Sequence, residues 1–394
     1  MEKKKIILSL LAVAPLATTG LHAQDDKTSQ FNPVEHAVIS QTIAPDARAA
    51  GMGDVGAATD PDVNSQAWNL AKYPFCISRA GVALNYTPWL RQLVNDIDLA
   101  YLAGYYRIGD YSALSGSLRY FSLGEVYTSE SSDVTVKPYE MSLDVAYSRM
   151  LSETFSLGVG LRWIYSDLRY DYSEDSKPAS AYAADIAMYY NNYLMLGNRE
   201  CQLGLGLVVS NIGSKISYYG DEESQFIPAN LRLGTSLMIP VDEFNRFSIS
   251  ADANKLLVPT VPQQEVYADG SVEDRSSYQD RVRREYSDMS SISGIFKSFS
   301  DAPGGFKEEL EEIQWSVGAE YTYNEQFSIR AGYHHESESK GNRKYFTVGG
   351  GFRMNVFSLD VGYVISTAQS NPLDQTLRFT LAFDMDGIKD LFRR

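Results

Sequence analysis

The chain contains 394 residues, of which 44% are hydrophobic, and it carries a formal net charge of −15 at pH 7. This acidic balance disfavours nucleic acid as a partner, because nucleic-acid binding requires basic surfaces. The mean hydropathy is −0.26, and no stretch of about 18 apolar residues occurs, which excludes a helical membrane protein. A transmembrane β-barrel remains possible, because alternating strands have a low average hydropathy.

Residues 1–23 have the organisation of a secretory signal peptide. Three lysines, Lys3 to Lys5, precede the apolar run Ile6–Ala17, and Leu21-His22-Ala23 offers a cleavage site. The apolar run is too short to span a membrane. We therefore expect export of the chain and cleavage after Ala23.

Residues 24–74 differ from the rest of the chain in composition. The stretch from Ala47 to Asp60 is rich in alanine and glycine. Such small residues can coil and pack closely, but they rarely form barrel strands. We expect an N-terminal segment that lies on the periplasmic side as a lid or enters a barrel as a plug.

Apolar and polar residues alternate with period two along most of the remaining chain. In the last run, Leu377, Phe379 and Leu381 share one face, while Arg378 and Thr380 share the other. Most runs reach the ~9–11 residues that a tilted strand needs to cross a bilayer. Fourteen such runs occur, near 75–88, 96–107, 112–124, 139–149, 154–167, 180–191, 200–213, 228–239, 246–257, 313–323, 326–336, 344–354, 356–366 and 375–385.

The connections between these runs alternate between short and long. Tight turns such as Gly109–Tyr111 are followed by long polar connections such as Glu125–Pro138. Outer-membrane barrels have short periplasmic turns and long external loops. The sequence thus predicts an all-β fold, a fourteen-stranded antiparallel transmembrane β-barrel over residues 75–386. It further predicts periplasmic termini, a periplasmic tail at 387–394 and a long extracellular loop at 259–312.

Charged side chains occupy the face of the strands that is predicted to point inward. Basic and acidic residues are nearly balanced there, which favours a cross-linked interior over an ion-selective path. The predicted inward charges are Arg79, Arg119, Arg162, Arg232, Arg330, Arg353 and Arg378, with Asp144, Asp185, Asp252, Glu320, Asp360 and Asp384.

The loop at 259–312 contains apolar residues at helical spacing. Ile292, Ile295, Phe296 and Phe299 are three and four residues apart and therefore share one helical face. An exposed apolar face often marks an interaction surface, and folding back over the barrel mouth is the alternative. We expect the partner-binding residues to include Tyr278 and Phe306 as well, which lie on either side of this run.

Catalytic and metal-binding patterns are absent from the sequence. His334 and His335 are adjacent on one strand and so should face opposite ways, and no nucleophile-elbow sequence accompanies them. No Cys/His cluster suggests a metal site. The sequence therefore predicts no catalytic residue, no metal and no cofactor.

The segment before the first strand carries a recognisable motif. Arg48-x-x-Gly51-Met52-Gly53 is followed by Asp60 and by Asn69-Leu70-Ala71. The chain resembles the FadL-like outer-membrane barrels of the PorV/PorQ group, and within that group the PorV (LptO) branch. The proline that usually follows the asparagine is absent here. We expect these motif residues to have a structural role.

The resemblance implies a role in type IX secretion. It implies a shuttle that binds the C-terminal signal domain of secreted cargo and delivers it from the translocon to a sortase-like attachment complex at the cell surface. The surrounding outer-membrane lipid and lipopolysaccharide are further expected partners. A FadL-like channel for hydrophobic small molecules and a factor in lipid A deacylation are the two alternatives.

Overall fold

The fold is a closed antiparallel barrel. The computed structural model describes residues 31–89, 96–127, 135–168, 177–218, 224–265, 267, 270–367 and 375–392; the predicted signal peptide lies outside this part. Fourteen barrel strands are present in it: β1 Ala80–Pro88, β2 Ile97–Ile108, β3 Ser112–Leu123, β4 Tyr139–Ser152, β5 Phe155–Asp167, β6 Ala179–Leu196, β7 Arg199–Gly213, β8 Asn230–Pro240, β9 Asn245–Leu256, β10 Gln314–Tyr323, β11 Phe327–His335, β12 Tyr345–Arg353, β13 Phe357–Ser366 and β14 Leu377–Asp384.

Each strand pairs with its neighbours in the chain, and β1 pairs with β14 to close the barrel. The predicted fourteen-stranded barrel is therefore confirmed, but its first strand begins later than predicted. Residues Leu70–Phe75 form a 3-10 helix and β1 begins only at Ala80. The reason is that Tyr73 is buried and its hydroxyl accepts a hydrogen bond from the backbone N–H of Gln66 at 2.7 Å, which holds this stretch to the preceding segment.

The two ends of the barrel differ in their connections. Short turns at one end comprise residues 109–111, 153–154, 197–198, 241–244, 324–326 and 354–356. The connections at the other end are longer, at 89–96, 124–138, 168–178, 214–229, 257–313, 336–344 and 367–376. We call these the short-turn end and the long-loop end. Two of the long connections contain two-residue ladders, Val126–Tyr127 with Thr135–Val136 and Ile216–Ser217 with Ser224–Gln225.

The two faces of the wall alternate as predicted. On β14, Leu377 and Phe379 are exposed on the outer face, whereas Arg378 and Thr380 are buried inside. The predicted inward orientation was wrong for two charged residues. Arg79 precedes β1, is exposed and lies over the ring of Tyr106, and Arg353 is exposed at the end of β12. Both lie at the short-turn end, where the alternation no longer separates an inner from an outer face.

The N-terminal part of the described chain runs through the barrel. Residues 38–79, which we call the lumenal segment, contain two short α-helices and two 3-10 helices: 3-10 helix Ile39–Thr42, α1 Ala47–Ala50, α2 Ser65–Trp68 and 3-10 helix Leu70–Phe75. The α1 helix begins after Asp46, whose side chain accepts a hydrogen bond from the N–H of Ala49 at 3.0 Å. The helix is therefore capped by its own sequence.

The described part of the chain begins and ends at opposite ends of the barrel; the termini, which were predicted to be periplasmic, lie outside the described residues. Asn32 donates its backbone N–H to Ser339 in the long connection at 336–344. The other end of the chain forms a helix, α6 Met385–Phe392, which includes most of the predicted tail at 387–394. It follows β14 beside the short turn at 354–356, where Asp384 donates its backbone N–H to Val356.

The connection between β9 and β10 is itself folded. It contains α3 Arg275–Val282, a π-helical turn Arg283–Ser287, α4 Ser291–Lys297 and α5 Phe306–Glu311. We call residues 270–313 the cap, because they contact the rim of the barrel at the long-loop end. A 3-10 helix, Glu338–Lys340, lies in the connection between β11 and β12. No helix in the described ranges is long and apolar enough to cross a membrane.

Candidate functional site: the filled lumen and the cap

The lumen is occupied by the lumenal segment, and Arg48 is its main electrostatic anchor. The Arg48 guanidinium contacts the Glu320 carboxylate of β10 at 3.0 Å and the Asp62 carboxylate at 2.8 Å. It also donates to the backbone carbonyl of Asp60 at 3.0 Å. Because all of these groups are largely shielded from solvent, loss of one partner would leave buried charge uncompensated. Arg48 and Asp60, two residues of the motif, are thus joined by a hydrogen bond.

Gly51, Met52 and Gly53 touch the barrel wall backbone to backbone. A Cβ atom at Gly332 of β11 would lie 2.1 Å from the carbonyl carbon of Met52, and one at Gly349 would lie 2.9 Å from the Cα of Gly51. Gly53 adopts a φ of 72°, which disfavours any residue with a side chain. These glycines therefore set how closely the lumenal segment approaches the wall.

Asn69 joins three parts of the structure. Its side-chain amide donates to the carbonyls of Ala57, at 2.8 Å, and of Met188 on β6, at 2.9 Å. Its side-chain oxygen accepts the N–H of Ala71 at 3.0 Å and so caps the following 3-10 helix. Only an amide side chain supplies both donors and an acceptor here, which explains an asparagine at this position.

Asp54 and Asp252 are anchors that the sequence analysis did not single out as such. Asp54 binds Arg378 of β14 at 2.8 Å and accepts the Tyr345 hydroxyl at 2.6 Å. Asp252 of β9 accepts the backbone N–H groups of Gly56 and Ala57 at 2.8 and 3.0 Å. Asp252 was assigned to the inward face by alternation, but its partners are far away in sequence.

The inward charges of the wall form the expected cross-linked network. Arg162 of β5 binds Asp144 and, at 2.9 Å, Asp185. Arg330 of β11 binds Glu320 at 2.5 Å and Asp360 at 2.6 Å. Three of these pairs connect neighbouring strands on the inside, and the Arg330–Asp360 pair reaches across β12, so the network is structural in its geometry.

One small cavity lies within the lumen beside the lumenal segment. A cavity of about 110 Å³ is lined by four arginines, by the imidazole of His334 and by polar side chains of the lumenal segment. The guanidinium of Arg119 faces it and donates to the carbonyls of Ser40 and Ile43 at 2.6 and 2.8 Å. Such a lining is polar, and the cavity is small for a ligand pocket, where about 300–1,000 Å³ is usual.

His334 and His335 face opposite sides of the wall, as predicted from their adjacency. His334 is buried, stacks on Tyr345 and shares a hydrogen bond of 2.9 Å with Ser316. His335 stacks on Trp315 at 5.0 Å on the outer face. Both members of the Ser316–His334 pair are almost completely buried, so a lipid substrate would have no direct path to them. No group of three His, Cys, Asp or Glu residues with metal-site geometry occurs among the described residues.

The cap is held to the rim by a cluster of ion pairs. Lys255, near the end of β9, binds Glu309 at 3.0 Å and Glu312 at 2.5 Å. Lys340 binds Glu308 at 2.6 Å and Glu312 at 3.1 Å. One face of α5 therefore directs its carboxylates toward two lysines of the barrel rim.

Asp301 lies beside this cluster, and Lys297 is a nearby cation that partly offsets the surrounding negative charge. Its carboxylate accepts the backbone N–H of Thr260 at 2.8 Å. Burial raises the pKa of the Asp301 carboxyl to about 6, and the nearby Glu309 and Glu312 add to this effect. The deprotonated carboxylate is thus a local cost to the closed cap.

The predicted partner-binding residues of the cap differ in exposure. Ile292, Phe296 and Phe299 are 55%, 72% and 49% exposed, whereas Ile295 is half-buried. The three exposed residues lie on α4 and just after it; we call them the apolar face. Phe306, on α5, is 78% exposed. Tyr278 is half-buried under the Arg281 guanidinium, so it does not extend the apolar face.

Comparison with known proteins gives one family match. A family model described as type IX secretion system protein PorV matches residues 25–264. No curated protein sequence matches the chain. Among solved structures, the toluene transporter TodX of Pseudomonas putida is 11% identical, covering 90% of this chain and 99% of that chain at a TM-score of 0.49. A FadL homologue of Pseudomonas aeruginosa is 12% identical, covering 86% and 98% at a TM-score of 0.43.

Proposed function

This chain belongs to the PorV family of type IX secretion system proteins, and from that premise we propose that it is the outer-membrane shuttle for secreted cargo. It binds the C-terminal signal domain of a cargo protein that leaves the translocon. It then delivers that cargo to the sortase-like attachment complex at the cell surface. The barrel itself is an outer-membrane component of the secretion system.

The observation that carries the proposal is the apolar face of the cap. Ile292, Phe296 and Phe299 leave large apolar side chains in contact with solvent at the long-loop end. Exposed apolar groups that are grouped in this way favour association with another protein, because burying them releases about 25 cal/mol for each Å². By loop parity the long-loop end is extracellular, which is the side where cargo is attached.

The filled lumen supports a binding role over a channel for hydrophobic molecules. The lumenal segment lies along the barrel interior, and the small cavity beside it is lined by arginines such as Arg119 and Arg232. An apolar solute would have to displace hydrogen-bonded and ion-paired groups to pass. The burial of Ser316 and His334 likewise weighs against lipid A deacylation by this chain.

The experiment replaces Ile292, Phe296 and Phe299 with serine together. We expect normal amounts of folded barrel, because no strand changes, and periplasmic accumulation or failed surface attachment of cargo. A matched variant replaces the exposed residues Tyr111, Val241 and Phe244 of the short turns with serine. It should secrete and attach cargo normally. Normal secretion and attachment by a fully assembled cap variant would refute the docking role.

A further inference from the structure

The first described residues of the chain contact three long connections. Asn32 donates its backbone N–H to Ser339 at 2.7 Å and its side-chain amide to Glu308 of α5 at 3.0 Å. Ala37 donates its backbone N–H to the carbonyl of Phe226, in the connection between β7 and β8, at 2.9 Å. The Tyr286 hydroxyl of the cap donates to the carbonyl of Glu35 at 3.3 Å.

These contacts join the cap to the rim through the N-terminal part of the chain. Tyr286 is nearly buried and packs edge-on against Phe226 with ring centroids 5.1 Å apart. A cavity of about 570 Å³ lies beneath the cap, and Val34, His36 and Ile39 form one side of it while Tyr286 and Glu312 contribute to the other. Residues 31–37 therefore form part of the wall between the cap and the barrel mouth.

From there the chain proceeds through the whole barrel. Ser40 donates its backbone N–H to Glu140, at the long-loop end of β4, at 2.9 Å. Further along, Gly53 donates its backbone N–H to Thr347 of β12 at 2.8 Å. Near the short turn at 109–111, Arg107 donates to the carbonyl of Cys76 at 2.8 Å. The chain therefore begins near the long-loop end at Ser40 and reaches the short-turn end at Cys76.

We propose that the chain enters the barrel from the cell-surface end and that residues 31–37 act as a tether that keeps the cap closed over the mouth. The orientation uses the same loop parity as the proposed function. The tether itself rests on the contacts of Asn32, Glu35 and Ala37 and does not depend on cargo binding.

The orientation is tested by cysteine labelling of intact cells with a membrane-impermeant maleimide. The three single variants are Phe31→Cys, Ser276→Cys in the cap and Asp110→Cys in a short turn, all at exposed positions. The natural thiols Cys76 and Cys201 are buried and set the background. We expect Phe31→Cys and Ser276→Cys to label in intact cells and Asp110→Cys to label only after outer-membrane rupture. If Phe31→Cys, like Asp110→Cys, labels only after outer-membrane rupture, the proposal is overturned.

The tether is tested by limited tryptic digestion at Arg283 and Arg284, which are exposed in the cap. Deletion of residues 24–36 should raise the cleavage rate at least tenfold, while heat-modifiable migration of the barrel persists. Deletion of residues 24–30 alone, which keeps the tether, should leave the rate unchanged. An unchanged rate in the longer deletion would refute the tether.

A second variant tests the tether even if the deletion variant fails to assemble. Asn32→Ala combined with Tyr286→Phe removes two of the tether hydrogen bonds and leaves the backbone intact. It should raise the cleavage rate about two- to fivefold, and no increase would count against the tether. Cargo attachment is measured in the same strains. Faster cleavage with normal attachment would support the tether, because the apolar face is unchanged in these strains. The docking role is refuted only by normal attachment in the serine variant of Ile292, Phe296 and Phe299, so the two proposals can fail separately.

Discussion

The lumenal segment and the cap are held to the barrel by different kinds of interaction. The lumenal segment is held by buried ion pairs such as Arg48–Glu320 and by direct contact between backbones at Gly53 and Gly332. The cap is held mainly by lysine–glutamate pairs at the rim and keeps apolar side chains in solvent. The lumenal segment therefore belongs to the core of the barrel. The cap, in contrast, can open without unfolding the barrel wall.

The largest expected effect is at Gly332. Gly332→Ala would place a methyl group 2.1 Å from the Met52 carbonyl carbon, and neither backbone can yield without moving the lumenal segment. We expect a loss of at least about 3 kcal/mol in the free energy of unfolding and little heat-modifiable barrel. Gly350→Ala on the neighbouring strand is the control, since its nearest contact would be an ordinary 3.9 Å. Equal stability of the two variants would show that the segment is loosely held.

Arg48→Met tests the electrostatic anchor of the lumenal segment. It leaves Asp62 without its ion-pair partner and Glu320 with Arg330 alone, so we expect a loss of about 3 kcal/mol. The readout is the temperature at which the folded band converts on semi-native gels. Arg246→Met removes an exposed pair with Glu325 and should cost less than about 1 kcal/mol. A conversion temperature for Arg48→Met equal to that of Arg246→Met would contradict a core role.

Lys340→Met tests the ion pairs that hold the cap to the rim. It removes one of the two lysines that hold α5 and should favour opening of the cap by about 2 kcal/mol, seen as faster tryptic cleavage at Arg283. The barrel should convert at the wild-type temperature. Lys344→Met, which removes the neighbouring exposed pair with Glu338, is the control and should change little. A shift of the barrel transition itself would mean that the cap and the wall form one cooperative unit.

The smallest expected effect is the pH dependence of the cap through Asp301. Its pKa of about 6 lies above the unfolded value of about 3.9, so the carboxyl contributes stability below pH 4 that is lost as the pH rises through 6. Allowing for solvent screening, we expect about 1 kcal/mol over this window. Asp301→Asn should abolish the dependence. The measurement is hydrogen exchange of cap amides, corrected for intrinsic rates; an unchanged pH dependence in Asp301→Asn would exclude this carboxyl as its source.

The predictability of the two regions also differed. The apolar spacing of Ile292, Phe296 and Phe299 is a local pattern that predicts a shared helical face, but only the structure shows that this face is exposed. Ile295 is half-buried although it lies in the same run, because α4 also has a face toward the rim, where Gly294 approaches the ring of Phe226. The motif from Arg48 to Asn69 signalled a structural role, but not the partner of each residue.

Local sequence determined the strands of this protein, because alternation with period two is a property of each strand alone. It also determined the parity of the connections. Tertiary structure decided the rest. The pairing of Asp54 with Arg378 spans 324 positions, and the entry of the chain at the long-loop end depends on contacts with three separate connections. Such long-range pairs form only when the barrel closes around the lumenal segment. Closure brings inward side chains of distant strands to the same depth.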